Sequence, residues 1–239
     1  MLYAHSPVAC THFKQIAYRK AFGIVLRRNQ FLKKPQKMFN IKDLIDISDK
    51  LGIIQAVKSK LISQPDPAAA HLVAALEEVS KIYYSFESEL TKFLALTLEA
   101  SEIAQERGTL LELEGGKIKV RMGVARGHCK KIKNIYDKYL CPWLRRVLAP
   151  EENQLVEGLF SEMSLTDHSM LNLIDDVANW LATEAEETLH LLEAGDLKAA
   201  QARVRAARLQ VTPARRAISA ALRRIQDIEA AFVEASGAI

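Results

Sequence analysis

The chain has 239 residues, 49% hydrophobic and 26% charged, a globular composition with enough length to bury a sizeable core. Its longest apolar runs, such as Phe93 to Leu98, fall far short of the roughly 20 residues that a membrane-spanning helix needs. The net charge of +4 hides an asymmetry: residues 1–40 hold eight of the 33 basic residues and no acid, leaving 25 basic against 29 acidic residues in 41–239.

That asymmetry sets the first expectation. Residues 1–37 form a basic tail outside the packed domain, or precede a true start at Met38, and residues 38–239 form the domain. On a helical wheel, Phe13, Ile16 and Ile24 share an arc with Lys20 and Arg27, so the segment has no clean apolar face. The functional alternative is a basic arm, either an organelle-targeting segment or a membrane-surface tether.

From Asn40, a plausible N-cap, the spacing of Leu44, Ile47, Leu51, Ile54, Val57 and Leu61 predicts a helix over 41–62. Asp66 and Pro67 then give a helix start signal. Leu72, Leu76, Val79, Tyr83, Phe86, Leu90 and Phe93 follow at alternating steps of four and three, a heptad seam that predicts one long helix to Arg107 with Gly108 as its stop. Gly115-Gly116 signals a turn. Lys117 to Val124 alternates like a short strand but has no other strand to pair with, so it is read as a loop.

The third long helix carries Met122, Ala125, Cys129, Ile132, Tyr136, Tyr139, Trp143 and Val147. Pro150 opens a fourth, with a break around Ser164 to Asp167 and a second run from Leu171 to Leu192. Gly195 stops it and Asp196 caps the last helix, which Pro213 should kink. These signals predict an all-α fold, a long antiparallel helical bundle of about four long, coiled-coil-like helices plus a shorter N-terminal one.

Charge sorts by helix. Residues 67–107 sum to −4, 117–148 to +9, 150–195 to −11 and 196–236 to +4. In an up-down bundle each acidic helix then flanks a basic one, which fixes helix order more than it adds stability, because exposed pairs contribute only about 0–1 kcal/mol each. The sharper reading is a face for an anionic partner, formed by Arg121, Arg126, Lys130, Lys131, Lys133 and Lys138. An anionic membrane surface fits such a face; nucleic acid is disfavoured by the acidic helix beside it.

Catalytic signatures are sparse. Glu187-Thr188-Leu189-His190 matches half of a carboxylate-bridged di-metal site, whose second Glu-x-x-His is missing. Cys129 has basic neighbours but sits on the apolar seam, where a thiol is inert. Cys10, Cys129 and Cys141 form no CxxC and suit free thiols in a reducing compartment, hence the cytoplasm. The expectation is a non-catalytic bundle, without cofactor or metal, that binds another protein or itself. The rivals are a bundle acting at a membrane surface and a bundle metalloprotein or enzyme.

Overall fold

The computed structural model describes residues 41–63 and 66–237, and no strand occurs among them. The expectation for residues 1–37 and the cap at Asn40 lie outside the described residues. The helices are α1 (Ile41–Lys50), α2 (Gly52–Ile62), α3 (Ala68–Ala95), α4 (Ile103–Leu113), α5 (Gly115–Ile135), α6 (Cys141–Val147), α7 (Pro150–Met163), α8 (Ser169–Glu193) and α9 (Leu197–Gly237).

Helices α3, α5, α8 and α9 make the bundle. Both α3 and α8 pack on α5 and on α9, which leaves α3 and α8 on one diagonal and α5 and α9 on the other. Paired side chains fix the directions. Glu89 meets Arg121 while Glu78 meets His128, so α3 and α5 run antiparallel. Arg208 donates to the Leu96 carbonyl while Gln226 donates to the Tyr84 hydroxyl, so α9 and α3 do too. The two acidic helices therefore share a diagonal, and each packs mainly against basic neighbours, with a smaller contact between the two across the core. At one end α1 and α2 pack on α9 and on α7, tied by Lys60–Glu152 (2.5 Å), Lys50–Glu162 and Arg224–Asp49.

All seven seam residues of α3 from Leu72 to Phe93 are buried, and Tyr83, Phe86, Phe93, Trp143 and Phe160 are the largest fully buried side chains. Edge-to-face contacts of Phe93 with Trp180 (5.6 Å) and Tyr83 with Phe86 (6.3 Å) give the core a fixed geometry.

The local pattern is overridden in four places. The first helix breaks at Leu51, where the Ile54 N–H bonds the Leu51 carbonyl in a tighter turn beside Gly52, although the seam stays buried on both sides. The helix expected to reach Arg107 ends at Ala95, and α4 runs through Gly108 instead of stopping there. The break is held from outside the segment. The buried Glu106 carboxylate accepts the N–H groups of Thr97 (2.6 Å) and Leu98 (2.5 Å), and Gln201 and Arg208 donate to the carbonyls of Leu98 and Leu96.

The turn at Gly115 takes φ +48, and Lys117–Val124, expected as a loop, is helical within α5. Finally, a π-helical turn at Tyr136–Leu140 precedes Pro142, which lacks an N–H and would clash with a regular turn. The extra residue swings Tyr139 off the expected seam. It lies half-exposed against the His71 ring, and Leu140 takes its place in the core.

The expected break falls between α7 and α8, Gly195 takes φ +76, and Asp196 accepts the Ala199 N–H at 3.0 Å. Helix α9 stays helical through Pro213. Because Phe86 is fully buried, Phe86→Ala should cost about 3–5 kcal/mol in urea denaturation of the full chain; a loss below about 1 kcal/mol would place Phe86 outside the cooperative core.

Candidate interaction faces

Helix α5 turns its cations in several directions. Arg121 forks onto Glu89 with two bonds of 2.9 Å, Nε to one carboxylate oxygen and Nη2 to the other, and donates to the Glu112 carbonyl as well. Lys131 lies 3.4 Å from Glu78, Arg126 pairs with Asp175 of α8, and Lys133 bonds Asp137 one turn on at 2.6 Å. Lys130 and Lys138 are exposed and have no ion-pair partner among the described residues. Four of the six predicted cations are thus already engaged within the chain.

The partners on α3 are unusual for carboxylates: Glu78 is 8% exposed and Glu89 is 5%. Burial alone would raise the Glu78 carboxyl. The cations Lys81 (2.6 Å) and Lys131, with the His128 ring at 2.5 Å, outweigh it and hold the group at about 2. Burial likewise opposes ionisation of Glu89, and Arg121 with Lys92 reverses it, lowering that carboxyl.

The outermost line of α5 is free of charge from Gly116 to Gly127. Ile118, Met122, Ala125, Cys129 and Ile132 are buried. Opposite them, at steps of four, three and four, stand Gly116, Val120, Gly123 and Gly127, with Val124 beside them. Val120 is 75% exposed and Val124 is 63%. A Cβ placed on Gly116, Gly123 or Gly127 would meet nothing within 4 Å. The last turn of α4 adds the half-exposed Leu111, and Leu111, Gly116 and Val120 line an open groove of about 650 Å³ together with the charged Glu114, Lys117, Arg121 and Glu186. Burial and the nearby Glu114 raise the Glu186 carboxyl.

Helix α9 carries a second basic face, which the sequence reading passed over. Arg203 pairs with Glu184 (2.9 Å) and Glu187, and Arg224 donates to the Ser48 carbonyl (2.9 Å). By contrast Arg205, Arg215, Arg216 and Arg223 are exposed and carry no ion-pair partner among the described residues. The signal was present in the spacing. Arg216 stands eleven residues after Arg205 and Arg223 eighteen after it, close to three and five whole helical turns.

The Glu-x-x-His pair is drawn apart: Glu187 bonds Arg203, and His190 faces outward. No group of metal-ligating side chains occurs among the described residues. Cys129 is buried, and desolvation pushes its thiol up to about 11. No helix among the described residues is long and apolar enough to cross a membrane. Compared with known proteins, the chain matches no family model, no curated protein and no solved structure.

The Glu78 carboxyl lies below its ordinary 4.5 in the folded chain, so its stabilisation is complete above pH 4.5 and is lost as pH falls toward about 2. Glu78→Gln should cost about 3 kcal/mol at neutral pH and flatten the acid limb of the stability profile, as read by urea denaturation between pH 2 and 7. An unchanged acid limb would mean that this carboxylate does not drive acid unfolding.

Proposed function

We propose that this chain is a non-catalytic helical bundle that binds another protein through the outer face of α5. The observation that carries the reading is the pairing of Val120 and Val124, both well exposed, with helical glycines that none of the described residues covers. Glycine inside a helix costs roughly 0.5–1 kcal/mol relative to alanine, and a β-branched apolar residue gains nothing from facing water. Three such glycines and one such valine on a line, with a second valine beside it, suit a surface that another helix approaches closely.

Charge selects between the two expected occupants. Lys117, Lys119 and Lys130 rim the face. Two copies meeting face to face would oppose these lysines, whereas an amphipathic helix with acidic flanks would complement them. The buried carboxylates Glu78 and Glu89, both held ionised by cations, are committed to holding helices together, which supports a binding role over an acid–base one.

Gly123→Ala and Gly127→Ala should each raise folding stability by about 0.5–1 kcal/mol, because the added methyl meets open space. Both should weaken partner capture by a photo-crosslinking residue placed at Val124 of the full chain. The same residue at the exposed Asn172 of α8 serves as the control. Equal capture from the two positions would refute the α5 face, and an adduct of twice the chain's mass would assign it to self-association.

A further inference from the structure

We infer that the outer ridge of α9 is a docking surface for an anionic phospholipid bilayer. It is independent of the α5 reading, since α5 and α9 lie across a diagonal of the bundle and their outer faces point away from each other.

The argument begins with what the other arginines of α9 do. Arg203, Arg208 and Arg224 reach Glu184, the Leu96 carbonyl and Asp49, and so serve the packing. Arg205, Arg216 and Arg223 share one line of the helix and reach none of the described residues. Between the first two stands Leu209, at 79% the most exposed large hydrophobic side chain among the described residues. Arg203 pairs with both acids that α8 offers nearby, Glu184 and Glu187, and cancels one of their two charges, so they offset only part of the ridge. From Arg205 to Arg223 the line is about 27 Å long. It ends at Asp227, the next residue on the same line.

The geometry favours lipid over a protein or nucleic acid. The cations and Leu209 stand on the crest of a convex helix, where a flat surface meets all of them at once. No aromatic side chain is interleaved to stack on bases. Guanidinium groups bond phosphate oxygens in a two-point fork, and a lone leucine between them reaches the level of the headgroups and acyl chains. A few arginines and one leucine give weak, salt-sensitive attachment, not insertion.

The test is flotation of the full chain with phosphatidylcholine vesicles, with and without about one-third phosphatidylserine, at low and high salt. Binding is expected only with phosphatidylserine and only at low salt. Replacing Arg205, Arg216 and Arg223 together by alanine should weaken it about 100-fold, near fivefold for each arginine. Leu209→Ala should give a smaller loss. All four positions are exposed, so thermal unfolding should match the parent chain and confirms that the variants fold. Residues 1–40 carry eight cations of their own and remain in every variant. If the triple variant binds within threefold of the parent, that segment, and not α9, holds the lipid, and the proposal fails. It also fails if the parent ignores phosphatidylserine vesicles but binds polyglutamate through the same arginines.

Discussion

Two carboxylates buried on one flank of α3 set the arrangement of this bundle. Glu78 and Glu89 stand eleven residues apart, three helical turns, and so face the same neighbour. A carboxylate removed from water is costly unless cations reach it, and loss of one partner from a buried pair costs about 3–5 kcal/mol. Helix α5 supplies the cations Arg121 and Lys131, with the His128 ring beside Lys131 on Glu78, spaced so that both carboxylates are met in a single antiparallel register. Sliding α5 by one turn would leave at least one of them with only the lysine of its own helix, Lys81 or Lys92. The acidic α8 could not take its place beside α3, because it carries no lysine or arginine. The alternation of charge around the square thus selects helix order and register, while the apolar seams supply most of the stability.

The two basic helices dispose of their cations differently. Helix α5 turns Arg121, Arg126 and Lys131 toward its acidic neighbours, and its outermost line is left to glycine and valine. Helix α9 commits Arg203, Arg208 and Arg224 to packing and leaves a ridge of its other arginines in water. Net charge therefore misleads as a guide to binding. The helix at +9 has an outer face that is nearly neutral at its centre, and the helix at +4 has the more concentrated unpaired charge.

The seam of α3 was legible because it depends only on periodicity, and every one of its residues from Leu72 to Phe93 is in the core. Gly195 and Asp196 were legible because caps are local chemistry. The fate of Arg121 and Lys131 was not. Signs of charge can be read along a chain, but which cation meets which carboxylate depends on how each helix is rotated in the bundle. Tyr139 fell off the predicted seam because one proline, Pro142, widened the preceding turn and shifted all spacing through it. The α9 ridge could have been found from its spacing of eleven and seven, but summing charge over the helix concealed it.

The break at residues 96–102 had no local signal, since the heptad pattern of α3 favours continuation. Leu98 takes φ +55, which costs a non-glycine residue about 1–2 kcal/mol. Two backbone bonds to a buried carboxylate are each worth about 1.5–3 kcal/mol, so Glu106 outweighs that strain. Gln201 and Arg208 then satisfy the carbonyls that the broken helix leaves open. The outcome reaches beyond the break. A continuous helix would have carried residues 103–113 straight on along the axis of α3. Instead α4 turns onto α8 and lines up its end with the start of α5, which brings Leu111 beside Val120 and opens the groove. A carboxylate at Glu106, itself outside that groove, is therefore what gives the α5 face its apolar neighbour.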